Sequence, residues 1–104
     1  MECKKIIEII EKICPLSAAC PWDNPGLIVG DADAEIYGIV VALDATDEVI
    51  DAAIAQKANL LITHHPLIFG KISKINTQDT VGKRLMKLIR SGINCYAVHT
   101  NFDV

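Results

Sequence analysis

The feature that most constrains the fold is a regular alternation of short apolar segments with segments of helical periodicity over residues 37–98. The runs 37–43, 60–62 and 93–98 are rich in β-branched and apolar residues, which predicts three strands. Between them, a helix capped by Thr46 extends through residue 58, and a second covers about 77–90. The order β-α-β-α-β indicates an α/β fold with a mainly parallel sheet.

An amphipathic helix is predicted ahead of this unit, because Ile6, Ile9, Ile10 and Ile13 repeat at helical spacing until Pro15 blocks continuation. With this helix on one face of the sheet, the architecture resembles a three-layer sandwich. Residues 26–30 are compatible with a further strand. Segment 37–43 is expected to be buried on both faces, as is usual in parallel sheets. At 104 residues the chain is long enough for one domain and short for two.

Composition narrows the class of protein. The chain has a formal charge of −3 and no cluster of lysine or arginine, so nucleic acid is not an expected partner. No apolar stretch reaches the roughly 18 residues of a membrane span, and no secretory leader pattern is present. The four cysteines form no C-x-x-C pair. These features predict a cytoplasmic protein with reduced thiols and no membrane association.

Polar residues gather where the predicted strands end. His64 and His65 follow the second strand, and His99 and Asp103 follow the third, so all three histidines of the chain take such positions. In open α/β sheets, ligands bind beyond the carboxyl ends of the strands. Imidazole and carboxylate side chains together suit a divalent metal, although this donor set does not distinguish Zn, Mn, Fe, Co and Ni.

The adjacent histidines need a turn to share one site, because consecutive residues of a regular strand point to opposite faces. Pro66 cannot donate to a strand ladder and favours such a turn. We therefore predict His64, His65 and Asp103 as metal ligands. His99 remains open between a role beside the ligands, a substrate contact and a structural role.

Two further polar residues lie near the predicted site. Asn101 could orient a substrate or a ligand. Asp44 also follows a strand, but it lies just before Thr46 and the second helix, so we interpret it as a turn residue more readily than as a site residue.

Four motifs carry a family resemblance: WDNPGLIVGD (22–31), VALDAT (41–46), ITHHPLIF (62–69) and HTNFD (99–103). In this order and spacing, they resemble the amino-terminal part of the GTP cyclohydrolase I type 2 homolog family, also called NIF-three-like. The resemblance implies a NIF-three-like α/β fold, a ring-shaped homohexamer and a dinuclear divalent-metal site. It also implies that His64, His65 and Asp103 are metal ligands, and that the protein is a metal-dependent hydrolase acting on a small molecule.

The chain also departs from the family pattern. Pro25 and Phe102 stand where the family commonly has aliphatic residues, and both substitutions look tolerable. The family normally continues well beyond this length and supplies a His-x-x-x-Glu pair of further ligands. We therefore expect 1–104 to be the truncated amino-terminal portion of a longer protein; a half-domain completed by another chain is the alternative. Either way, part of the sheet is expected to expose apolar surface.

Three hypotheses of function follow. The first is a dinuclear metal-dependent hydrolase, acting on a nucleotide or another phosphate-containing small molecule, in which His99 is the candidate catalytic acid or base. The second is a non-catalytic metal-binding scaffold or regulatory oligomer that uses the same ligands structurally. The third is an α/β module without a site.

Overall fold

A four-stranded sheet organises residues 1–103, the part of the chain that the computed structural model describes. Its strands are β1 (Gly26–Val29), β2 (Ile39–Ala42), β3 (Leu60–Thr63) and β4 (Asn94–Ala97), in the spatial order β1-β4-β3-β2. β2, β3 and β4 are mutually parallel, and β1 pairs with β4 in the antiparallel direction. The predicted α/β class with a mainly parallel sheet is therefore confirmed.

The helices are α1 (Cys3–Ile13), α2 (Asp47–Ala55), α3 (Thr80–Arg90) and α4 (Thr100–Asp103), with a short 3₁₀ helix at Leu16–Ala18. Thr46 caps α2 as predicted, since its hydroxyl accepts from the Val49 amide at 3.2 Å. α2 ends earlier than predicted because Lys57 adopts a left-handed conformation with φ of 57°. α3 begins later than predicted, because the capping carboxylate belongs to Asp79.

One face of the sheet is covered by α2 and α3. Leu61 and Cys95, on neighbouring strands, point to this face and pack with Ile50 and Ala53 of α2 and Leu88 of α3. All five side chains are fully buried. Burying such side chains is the main stabilising contribution of this layer, at roughly 1.5–3 kcal/mol for each large one.

The opposite face is covered by α1, as the three-layer architecture predicts. Leu60 and Tyr96 alternate with the residues of the first face and pack with Cys3. The predicted inward face of α1 was partly wrong, since Ile9 and Ile13 are exposed. Cys3 is fully buried and sets the helix rotation, so the inward positions at its spacing are Ile6, Ile7 and Ile10.

The prediction that segment 37–43 is buried on both faces was wrong. β2 is a four-residue edge strand, and its Ile39 and Val41 side chains are 48% and 74% exposed. They lie on the α1 side of the sheet, but no residue of β2 itself is among those that pack with α1, which come from the other three strands and from Ile36 and Val98. We call Tyr37, Ile39, Val41 and Leu43 the open face of β2.

Among residues 1–103, no helix combines the length and apolar character needed to cross a bilayer. The four cysteines are free thiols. Burial raises the pKa of Cys95 to about 11, and the thiolate is the form that binds metal, so this cysteine is a packing residue of the core.

Candidate metal centre

His64 and His65 continue the pairing of β3 with β2 beyond the last strand residue. Their amides donate to the carbonyls of Ala42 and Leu43, at 3.3 and 3.0 Å. The Thr63 hydroxyl donates to the carbonyl of His65 at 2.9 Å and closes the turn. The two imidazole rings lie side by side with centroids 5.0 Å apart, in agreement with the prediction that both reach one site.

His99 and Asp103 are brought together by α4, which sequence reasoning did not predict. The carbonyl of His99 accepts from the amides of Phe102 and Asp103, at 3.0 and 3.2 Å. A spacing of four residues thereby becomes one helical turn, and side chains at this spacing lie on the same side of a helix. The Asp103 carboxylate consequently lies beside the ends of β3 and β4.

The three histidines form one cluster at this edge of the sheet. The His99 ring centroid lies 5.0 Å from that of His64 and 5.4 Å from that of His65. One ring nitrogen from each residue lies within 4.8 Å of the others, a separation that allows a shared metal ion. The structure thus collects all the histidines of the chain at one point.

His64 and His65 each engage Nδ1 with an oxygen. His64 Nδ1 lies 2.9 Å from the carbonyl oxygen of Val98, and His65 Nδ1 lies 2.7 Å from Asp44 Oδ1. A carbonyl or an ionised carboxylate only accepts, so Nδ1 is the donor in each bond and Nε2 keeps its lone pair for a metal. Asp44, interpreted above as a turn residue, therefore contacts the cluster directly.

His99 is held in the same way by Asp23, whose side chain is 0% exposed. Asp23 Oδ1 lies 2.8 Å from His99 Nδ1 and accepts from the Asn24 amide at 2.8 Å. Its Oδ2 accepts from the amide and the hydroxyl of Thr100, at 2.9 and 2.6 Å. Burial alone raises the pKa of Asp23, but these hydrogen bonds outweigh it and hold the pKa well below the usual range.

The fourth potential ligand is Asp103, which is 54% exposed with Oδ1 3.6 Å from His64 Nε2. This separation is too long for a hydrogen bond. Two ligands at about 2.1 Å from one tetrahedral ion lie about 3.4 Å apart, which is close to the observed value. The three imidazoles could share a divalent metal ion, whereas Asp103 lies beside His64 but outside the group of donor atoms that gather within 4.8 Å of one another.

Asn101 has a different role from the one predicted. Its side chain is buried, its Oδ1 accepts from the His99 amide at 2.9 Å, and its Nδ2 donates to the carbonyl of Cys14 at 2.9 Å. Because both ends of the amide bond the backbone, Asn101 shapes the turn that presents His99 and does not face a substrate.

A groove of about 370 Å³ runs from the open face of β2 to the cluster. His64 and Asp103 line one end, and Val41, Leu43 and Phe102 lie along its apolar wall. The groove gives the candidate metal centre a path to solvent. A larger cavity of about 460 Å³, between β1 and α3, is lined by no histidine and lies at the other end of the sheet.

The main residues that sequence reasoning missed come from the loop before β1 and from the segment after β3. Trp22 and Phe69 are stacked with ring centroids 5.9 Å apart, and each ring plane is nearly perpendicular to that of His99. Asp23 comes from the same loop and lies 76 residues before its histidine partner. The turn-forming composition of residues 20–26 marks a loop, but gives no sign of what the loop covers.

Comparison with known proteins supports the resemblance seen in the motifs. The sequence model for Duf34/NIF3 (NGG1p interacting factor 3) matches residues 1–104. The GTP cyclohydrolase 1 type 2 homolog of Clostridium acetobutylicum is 45% identical over 103 residues, which is 99% of this chain and 38% of the relative. That of Staphylococcus epidermidis is 40% identical over 100% of this chain and 28% of the relative.

Solved structures give the same result. The crystal structure of the Staphylococcus aureus protein SA1388 matches with a TM-score of 0.96 and 40% identity, over 100% of this chain and 30% of that one. Reduced HcgD from Methanocaldococcus jannaschii matches with a TM-score of 0.92 and 39% identity, over 100% of this chain and 42% of that one. The chain thus spans well under half the length of these relatives.

Proposed function

The chain belongs to the Duf34/NIF3 (NGG1p interacting factor 3) family, and from that premise we propose that it binds divalent metal and serves a metal-dependent hydrolase. His64, His65 and Asp103 are the proposed ligands of a dinuclear centre, part of which is supplied from outside residues 1–104. The substrate class is a nucleotide or another phosphate-containing small molecule. This proposal is supported by the name that its relatives carry, GTP cyclohydrolase 1 type 2 homolog.

The observation that carries the proposal is the convergence of the three histidines. One ring nitrogen of each lies within 4.8 Å of the others, and each Nδ1 is engaged by an oxygen that leaves Nε2 available. A ring with Nδ1 bonded to an oxygen and Nε2 free is the usual arrangement of a metal-binding histidine, which supports His64 and His65 as ligands and places a third free nitrogen, that of His99, beside them.

The residues of the chain have separable roles in such a reaction. Two divalent ions, when bound, supply Lewis-acid chemistry and make water a nucleophile at neutral pH. His64 and His65 would bind through Nε2, and Asp103 would add negative charge at the end of the groove that it lines with His64. His99, whose Nε2 faces the same space, is the proposed acid or base that moves a proton to or from the substrate.

The test is the metal content of purified protein, by elemental analysis, for wild type and for His65→Ala and Asp103→Ala. Wild type is expected to retain divalent metal, and both variants are expected to lose most of it. Asp33→Ala is the matched control. Asp33 is an exposed residue of the turn after β1, at the opposite end of the sheet, and its carboxylate pairs with Lys4 of α1. Metal content unchanged in both ligand variants contradicts the proposal.

The alternative function is a metal-binding scaffold or regulatory oligomer without turnover. The exposure of the apolar open face of β2 favours an assembly role, and a homohexamer in the cytoplasm is the proposed state. A catalytic ion keeps a coordination position for water, whereas a structural ion does not. The visible spectrum of the cobalt-substituted protein, recorded with and without small anions, distinguishes the two. Turnover of nucleotides or phosphate esters that depends on metal favours the hydrolase.

A further inference from the structure

We infer that Asp23 is a positioning residue for His99, which it holds in the Nδ1-protonated tautomer with Nε2 facing the cluster. The inference deepens the proposed function by naming what prepares its proton-transfer group. The hydrogen bonds of Asp23 and the ring contacts of His99 that support it do not depend on a bound metal.

The first argument is the hydrogen bonding of the Asp23 carboxylate. A buried charge needs several donors, and Asp23 has four, two on each oxygen. Three come from backbone or hydroxyl groups of Asn24 and Thr100. The fourth is the His99 ring at 2.8 Å, and an ionised carboxylate can only accept from it. The proton of the neutral ring must therefore be on Nδ1.

The second argument is the fixed orientation of the His99 ring. Trp22 and Phe69 lie nearly perpendicular to it, with centroids 6.3 and 6.0 Å away. The backbone beneath the ring is held by Asn101, whose Oδ1 accepts from the His99 amide. With Nδ1 bonded to Asp23 and the ring contacted by the Trp22–Phe69 pair, Nε2 is the nitrogen left for the cluster with His64 and His65.

The third argument is the intrinsic preference of imidazole. A neutral histidine side chain in water favours protonation at Nε2, which would direct an N–H into the cluster. That N–H can neither accept a proton nor bind a cation. Asp23 reverses this preference, so a loop residue far away in sequence determines whether His99 offers a lone pair to the site.

The experiment is nitrogen NMR of the metal-free protein labelled on histidine, with the rings neutral. Long-range proton–nitrogen correlations report which ring nitrogen carries the proton. The chain has only three histidines, so the spectrum contains three ring systems. The single variants His64→Gln, His65→Gln and His99→Gln assign them.

In wild type, His99 is expected to be protonated on Nδ1. In Asp23→Ala, the same ring is expected to move to the Nε2-protonated form. Thr100→Ala is the matched control, because it removes one hydroxyl bond to Asp23 and loosens the loop but leaves the bond between Asp23 and His99. Its His99 ring is expected to stay protonated on Nδ1. Asp44→Ala is expected to change the His65 ring alone.

Two results overturn the inference. One is a wild-type His99 protonated on Nε2, which decides the matter even if Asp23→Ala does not fold. The other is a folded Asp23→Ala protein with His99 still protonated on Nδ1. If the tautomers behave as expected while elemental analysis finds no metal in wild type, the positioning role stands and the proposed metal centre falls.

Discussion

The two faces of the sheet differ in how completely they are covered. α2 and α3 bury one face, where Leu61 and Leu88 are inaccessible to solvent. On the other face, α1 covers the central strands, while Val41 of β2 remains 74% exposed. The covered face accounts for most of the apolar burial that stabilises the fold. The open face adjoins the histidine cluster through the groove at His64 and Asp103, so it is the side available for binding.

The largest expected loss of stability comes from a substitution on the covered face, the one packed by α2 and α3. Leu88→Ala removes a fully buried side chain of α3 and should lower the free energy of unfolding by about 2–5 kcal/mol. Ile89→Ala is the matched control, because the next residue on the helix is 59% exposed. Its effect should stay within about 0.5 kcal/mol. Denaturant titration measures both, and equal losses would contradict the difference in burial.

The next effect tests the site beside the open face. Zinc or cobalt at 100 times its dissociation constant should stabilise the folded chain by about 2.7 kcal/mol, provided that the unfolded chain binds weakly. Thermal unfolding with and without metal measures the shift. His65→Ala should lose most of it, whereas Asp33→Ala should retain it. A shift of the same size in His65→Ala would place the ion elsewhere.

A smaller loss of stability is expected from a change at the start of α2, one of the two helices on the covered face. Thr46→Ala removes the cap of α2 and should cost about 1 kcal/mol. Thr77→Ala is the control, since Thr77 is exposed and lies ahead of α3, whose cap is Asp79. It should change the stability little. A larger loss for Thr77→Ala would show that α3 begins where the sequence predicted.

The smallest effect on stability is expected on the open face. Val41→Ser should change the free energy of unfolding by no more than about 0.5 kcal/mol, and should reduce self-association measured by sedimentation. Val40→Ser is the matched neighbour, because Val40 packs against the covered core and its loss should destabilise the fold. Unchanged association in Val41→Ser would show that this surface does not join copies of the chain.

The sequence predicted most of the fold because its signals are local. Apolar runs gave the three parallel strands, and Thr46 gave the start of α2. The burial errors involve tertiary packing, which periodicity does not report. The rotation of α1 depends on the burial of Cys3, and the exposure of β2 depends on how far α1 extends across the sheet.

The sequence also predicted which strand ends hold the histidines, because the carboxyl ends of parallel strands meet at one edge. It did not predict which side chains hydrogen-bond to the histidine rings. Asp44 contacts His65 and Asp23 contacts His99 across 21 and 76 residues of chain. Such contacts depend on how loops fold over the sheet edge.

The sequence by itself thus determined the α/β class, the family and the placement of all three histidines at one edge. Only the tertiary structure decided which nitrogen of each ring is free, since that depends on an oxygen brought to Nδ1 from elsewhere. Periodicity and capping act within a few residues and can be read along the chain. Hydrogen bonds between distant loops have no local signature, and they decide which lone pairs the candidate metal centre presents.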